Sequence, residues 1–306
     1  MTRKNTHITK IAERKLELSE AIRILSELIK FRITVLVSLT TGLGYILGAK
    51  DITFTLFAVI MGIFLLACSS SALNHWQERN TDALMDRTRF RPIPSGRIEP
   101  RSTLIISFLL LLCGSAVLII FTNVTALLVG LTNFLWYNAV YTPLKRKSAF
   151  AIMPGAVVGA LPPLAGWAAA GAGIFDYRII IVAAYMFIWQ IPHFWLLLLM
   201  YGDDYQKGGF PTLNKFFNNE QLKRITFIWL LATVLIALLV PMFLYIYNPF
   251  TIPLIIIVSA VMAAAAFRFM FTGLSKKSIM NSFMAINFYT LILISILSID
   301  KLIKVF

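Results

Sequence analysis

Acidic residues are scarce in this chain. Only 14 Asp and Glu stand against 28 Lys and Arg in 306 residues, and charged residues together make up 14%. Soluble domains carry roughly 25% charged residues, so a single solvated globule is excluded. Cysteine is nearly absent. Cys68 and Cys113 both lie inside apolar runs, with no CxxC spacing and no His cluster beside them. A disulfide scaffold and a thiolate metal site are therefore excluded. There is no GxSxG, no P-loop and no HExxH, which removes elbow-type hydrolysis, P-loop phosphoryl transfer and zincin chemistry. No RNA- or DNA-binding module accompanies the formal net charge of +14, so no nucleic-acid partner is expected.

What fills the chain instead is apolar: 58% of residues are hydrophobic. Nine runs are long enough to cross a bilayer at 1.5 Å per residue, roughly 31–49, 53–73, 103–122, 124–142, 149–171, 178–200, 224–247, 251–271 and 280–299. The expected fold class is all-α, a polytopic membrane protein of nine transmembrane helices. Residues 1–28 are of mixed charge and lack an apolar h-region, and Glu13, Glu17, Glu20 and Glu27 are wrong for a transit peptide. They read as a cytoplasmic amphipathic lead-in to one intramembrane domain over 29–306. With the N-terminus inside, only Lys50, Arg178, Lys301 and Lys304 of the 28 basic residues fall outside. Lys and Arg mark cytoplasmic loops, so the C-terminus is placed outside. The net positive charge then reports topology.

The outside connections are tight, whereas two inside loops, about 74–102 and about 201–223, are long and hold most of the acids. In the first, Asn74, Glu78, Asp82 and Asp86 recur every fourth residue. In a helix each step advances about 400°, so they form one slowly drifting stripe. Like charges at that spacing repel, and Arg79, Arg87, Arg89 and Arg91 fall on other faces or beyond it. A divalent cation would remove the repulsion, and carboxylate and amide oxygens suit Mg²⁺, which binds through a few carboxylates together with substrate phosphates. These arginines would then hold diphosphate oxygens. The bland alternative is a solvated helix end. The second loop adds Asp203 and Asp204 on the same side of the membrane, so two acidic clusters face one metal-bound diphosphate. Lys145, Arg146 and Lys147, between spans four and five, add cations there or anchor the topology.

His193 lies inside the sixth span, where an ionisable residue is a functional candidate. It is either a haem-iron ligand or a buried histidine bonded to a carbonyl. His75 sits about 100° from Asn74 and His7 lies in the lead-in. In the fifth span, Gly155, Gly159 and Gly166 with Pro162-Pro163 serve either close packing or a kink that breaks the helix and opens a cavity.

At these residues the chain resembles a known family. Asn74-x-x-x-Glu78-x-x-x-Asp82, followed by Arg87-Thr88-x-x-Arg91-Pro92, looks like the first signature of the UbiA-type intramembrane prenyltransferases. Trp189-Gln190-x-Pro192-His193-Phe194-Trp195 with Asp203-Asp204-Tyr205 resembles the branch that farnesylates haem. Lys30-x-Arg32, Tyr141-Thr142 and Ala160-Leu161-Pro162-Pro163-Leu164-x-Gly166-Trp167 are similar to that branch too, and the resemblance spans roughly 28–300. Two departures stand out: Glu78 replaces the usual Asp, and Met200 occupies the position of the first acid in the usual second Asp-x-x-x-Asp.

The resemblance implies helices around a central cavity capped by the two cytoplasmic loops, in a bacterial inner membrane. It implies transfer of farnesyl from farnesyl diphosphate to a vinyl group of haem B, giving haem O for terminal oxidases. Mg²⁺ is the implied cofactor, and a haem A synthase the implied downstream partner. Metal ligands would be Asn74, Glu78, Asp82, Asp203 and Asp204, with Asp86 also catalytic. Arg32, Arg87, Arg91, Tyr141, Lys145, His193 and Lys207 would bind substrates. Transfer to a quinone precursor such as 4-hydroxybenzoate is the rival within the class. A secondary transporter is the rival outside it, disfavoured because the acids cluster at one face and the span centres are nearly free of charge.

Overall fold

The computed structural model describes residues 19–213 and 216–305, so most of the 1–28 lead-in lies outside the described residues. A first helix, α1, covers 19–28. Then follow α2 (Phe31–Gly48), α3 (Phe54–Asp82), α4 (Pro100–Phe121), α5 (Val124–Leu135), a π-helical turn (Trp136–Tyr141), α6 (Thr142–Lys145), α7 (Ile152–Ala169), α8 (Tyr177–Lys207), α9 (Asn219–Phe243), α10 (Thr251–Phe271) and α11 (Lys276–Val305). With α5, the π turn and α6 counted as one rod, nine helices among the described residues are long and apolar enough to cross a membrane. The protein is a multi-pass membrane protein.

The starts of the helices follow from their capping residues. The Thr53 side chain accepts from Thr55 N–H, Asn123 from Ala126 N–H and Asp176 from Arg178 N–H. At α9, Asn218 and Gln221 form a reciprocal capping box at 2.9 Å each way. Two helices outrun their apolar segments. α3 continues to Asp82 and α8 to Lys207, which carries polar residues out of the bilayer on rigid backbone. α8 bends at Tyr201, whose φ of −126° is not helical.

Neighbouring helices form a ring: α2, α3, α4, α5, α7, α8, α9, α10 and α11 each touch the next, and α11 returns to α2. Inner contacts of α2 with α7 and of α8 with α11 tie the ring across. The α2–α7 crossing is close enough to require glycine. A Cβ on Gly44 would lie 1.9 Å from the Pro163 carbonyl oxygen, and one on Gly166 would lie 1.9 Å from the Thr41 carbonyl oxygen. Small residues permit such approach in lipid, where dispersion contacts hold helices together. Of the two readings of this segment, close packing is the one observed: α7 runs as one helix through Pro162 and Pro163. Membrane helices tolerate proline where neighbouring elements pack over the freed backbone, and here α2 does so. At the opposite end, the buried Asp300 carboxylate accepts from the Tyr247 and Asn248 N–H groups and from the Thr251 hydroxyl, closing the α9–α10 turn.

Candidate functional site

The polar end of α3 is buried although it is charged. Asn74, Glu78 and Asp82 are 1%, 3% and 0% exposed. A carboxylate at such depth needs a partner, and each member of the stripe has one cation from a different element. Lys30, between α1 and α2, donates from Nζ to Asn74 Oδ1 at 2.8 Å. Lys145, at the end of α6, sits 2.6 Å from Glu78 Oε1. Arg91, in the α3–α4 loop, donates from Nη1 to both Asp82 oxygens at 2.8 Å. Asn74 Nδ2 also donates to Thr142 Oγ1 at 3.3 Å. Helical spacing thus puts three acceptors on one face, and three connecting segments bring a cation to each.

The local backbone explains the convergence. Lys30 has φ +49°, the left-handed region that non-glycine residues avoid. This turn separates α1 from α2 and directs Lys30 at Asn74. Burial above all, followed by the charge of Arg91, lowers its ammonium from the ordinary lysine range to about 7. The π turn at Trp136–Tyr141 re-aims one rod of the bundle, as such bulges do near functional sites. It buries Asn138 and Tyr141, and the following α6 delivers Lys145. The Lys145 ammonium also lies 5.0 Å from the Phe210 ring centroid. Tyr141, Lys145, Phe194, Leu197, Tyr205 and Phe210 line a pocket beside the stripe.

Asp86 does not extend the stripe. α3 ends at Asp82, so Asp86 lies in the following turns, exposed. There it pairs with Lys207, whose hydrogen bond holds its carboxyl below the ordinary range. Asp204 accepts from the N–H groups of Asp86 at 2.6 Å and Arg87 at 3.2 Å. The Arg87 guanidinium lies 5.1 Å from the Tyr201 ring centroid. Asp86, Arg87, Asp204 and Lys207 therefore join the two loops to each other. Asp203 is exposed beside them, and Arg32 is exposed on α2. Among the described residues, no three of His, Cys, Asp or Glu stand close enough to form a ready metal cage. The donor set of the stripe, two carboxylates and an amide oxygen, suits a hard cation that brings water and substrate oxygens with it.

The α3–α4 loop is fastened to α1. Arg97 makes a two-pronged pair with Glu27, and its hydrogen bonds are the main cause of the lowered Glu27 carboxyl pKa. Between α1 and this loop lies a cleft of about 390 Å³, lined by Arg23, Lys30, His75, Arg87, Arg91 and Arg97 among others. A cleft so rich in cations attracts anions. Sequence reasoning did not single out Lys30 on its own account; its isolation just before an apolar run was the available signal.

The model of the UbiA prenyltransferase family matches residues 35–290. A protoheme IX farnesyltransferase of Geobacter sulfurreducens is 42% identical over 180 residues, covering 59% of this chain and 66% of that one. One from Oleidesulfovibrio alaskensis is 31% identical over 282 residues, covering 92% of this chain and 98% of that one. Among solved structures, a UbiA homologue from Archaeoglobus fulgidus bound to GPP and Mg²⁺ shares the fold with a TM-score of 0.67 at 16% identity, covering 92% of this chain and 99% of that one.

Proposed function

Because the chain belongs to the UbiA prenyltransferase family, we propose that it joins the farnesyl group of farnesyl diphosphate to a vinyl group of haem B, with addition of water, giving haem O and diphosphate. The observation that carries this reading is the buried face of α3, where Asn74, Glu78 and Asp82 are each matched by a long-chain cation, Lys30, Lys145 and Arg91. Such a face offers oxygen ligands and phosphate-binding cations at one place, which a prenyl diphosphate with a divalent metal needs. Mg²⁺, when bound, supplies positive charge at the departing diphosphate.

The chain's own residues do the rest. Lys30, Lys145 and Arg91 exchange their acceptors for diphosphate oxygens, and charge-assisted bonds to those oxygens strengthen as the C1–O bond breaks. Arg87 and Lys207, held between the two loops, close over the same anion. Tyr141, Phe194 and Phe210 present apolar walls that shield the allylic cation from early capture by water. The vinyl carbon of haem attacks C1, the new carbocation beside the porphyrin takes hydroxide from water, and one proton leaves. Asp203 and Asp204 stand at the second loop, where Asp204 keeps the first loop in register and both acids are available to a second metal ion. In this reading the N-terminus and both loops face the cytoplasm of a bacterial inner membrane, with the C-terminus outside, which the distribution of Lys and Arg supports. A haem A synthase consumes the product.

The reading is tested with farnesyl diphosphate and Mg²⁺ in the presence of haem B or of 4-hydroxybenzoate. Prenylation of haem alone is expected. Prenylation of the hydroxybenzoate alone would move the chain to the quinone branch.

A further inference from the structure

Of the two histidines among the described residues, His193 is the one whose proton position its hydrogen bonds fix. It lies on α8, ten residues before Asp203 and so about 15 Å along the axis. Its ring is flanked by Trp189, with centroids 5.0 Å apart, and by Phe283 of α11 at 4.8 Å, while Phe194 meets it edge-on at 5.7 Å. Trp189 is itself held, donating from Nε1 to the Ile286 carbonyl. The aromatic surroundings leave polar contact to the ring nitrogens.

Nδ1 lies 3.0 Å from Asn287 Oδ1. Asn287 Nδ2 donates to the Phe283 carbonyl. A carbonyl carries no proton, so the amide nitrogen must face Phe283 and the amide oxygen must face the imidazole. The amide oxygen has no proton either, so Nδ1 supplies it. A neutral imidazole protonated at Nδ1 keeps one lone pair, on Nε2. Among the described residues Nε2 has no hydrogen-bond partner, and Pro192 beside it has no N–H to offer. A histidine whose one nitrogen is held by an acceptor and whose other presents a lone pair is the arrangement of metal-ligating histidines. His75 lacks it: among the described residues no side chain bonds either of its buried ring nitrogens, so no acceptor side chain orients the ring.

Resting on the haem reading above, we propose that His193 Nε2 is the protein ligand of the haem iron, and that Asn287 is a positioning residue that holds His193 in the required tautomer. Ligation at this depth anchors the porphyrin within the bilayer below the polar end of α3. The vinyl edge is then free to meet the farnesyl C1 delivered from the loops.

The test uses the full chain in detergent, titrated with haem B and, separately, with metal-free protoporphyrin IX, followed by absorption and electron paramagnetic resonance spectra. The wild type is expected to show a nitrogen-ligated iron spectrum. His193→Ala loses it, binds haem B at least about tenfold more weakly, binds protoporphyrin IX as before, and regains the spectrum with added imidazole. Asn287→Leu weakens haem B binding about 10–100-fold, the usual effect of losing such a partner. Asn287→Asp keeps ligation and shifts the iron potential downward, because a carboxylate raises ligand basicity. His75→Ala leaves the iron spectrum unchanged. A wild-type haem spectrum in His193→Ala, or equal loss of haem B and protoporphyrin IX, overturns the ligation. Failure of the wild type to bind haem B at all overturns the haem reading itself, and the ligation with it.

Discussion

Replacing Arg91 with Met removes the partner of the most deeply buried carboxylate in the site. The Asp82 side chain is 0% exposed and that of Arg91 21%. Breaking a buried pair by deleting one member costs about 3–5 kcal/mol, because the remaining charge stays desolvated. Lys30 is near enough to share that charge, which favours the lower end, about 3 kcal/mol. For a chain of this size that lowers Tm by roughly 6 °C. The opposite deletion, Asp82→Asn, leaves a guanidinium that water reaches, and costs only about 1–2 kcal/mol. The double variant should recover about 2 kcal/mol of coupling. A metal at Asp82 takes over the role of the missing guanidinium, so Mg²⁺ should raise the Tm of Arg91→Met more than that of the wild type. The assay is thermal unfolding of purified protein by tryptophan fluorescence, with and without Mg²⁺. An Arg91→Met variant within 1 °C of the wild type would refute the reasoning, as would equal protection of the two by Mg²⁺.

Other outcomes follow from the same structure. Asp82→Ala abolishes farnesyl transfer in a product assay while the protein remains folded, since only Arg91 is left unpaired. Gly166→Ala pushes α7 from α2, where its Cβ would meet the Thr41 carbonyl at 1.9 Å; overpacking of this kind costs about 1–3 kcal/mol or more, read as lost yield and lowered Tm. Arg97→Ala loosens α1 from the loop by less than about 1 kcal/mol, since both partners are partly exposed. Glu27 is lowered below 4.5 in the folded protein, so its contribution is present above pH 4.5 and disappears as pH falls through the folded value. The wild type and Arg97→Ala should therefore differ in Tm at pH 7, and the difference should shrink as the pH falls through the folded value of Glu27. Chelation with EDTA stops turnover, and Mg²⁺ restores it.

The nine spans were legible because apolar runs of bilayer length have one stable fate, a helix with every backbone group bonded internally. The stripe was legible for the same reason of period: residues 74, 78 and 82 fall on one helical face wherever the helix packs. What lay beyond the sequence was which segment meets that face. Lys30 reaches Asn74 only because the chain turns through a positive φ between two helices, and Lys145 reaches Glu78 only because a π turn re-aims its rod. Asp86 was read into the stripe because its spacing continues the pattern; the helix ends at Asp82, so Asp86 pairs with Lys207 instead. Nor does the sequence announce that Asp204 accepts from two N–H groups of the first loop, a contact set by how the loops meet. The tautomer of His193 depends on Asn287, 94 positions away in the chain, and no local pattern announces it.

The most direct test of the central claim is the mass of the haem recovered after the purified protein is incubated with haem B, farnesyl diphosphate and Mg²⁺. The account predicts a haem heavier by a hydroxyfarnesyl group with the wild type and unaltered haem B with Asp82→Ala. Unaltered haem B from the wild type, or farnesylated haem from Asp82→Ala in equal amount, would contradict it.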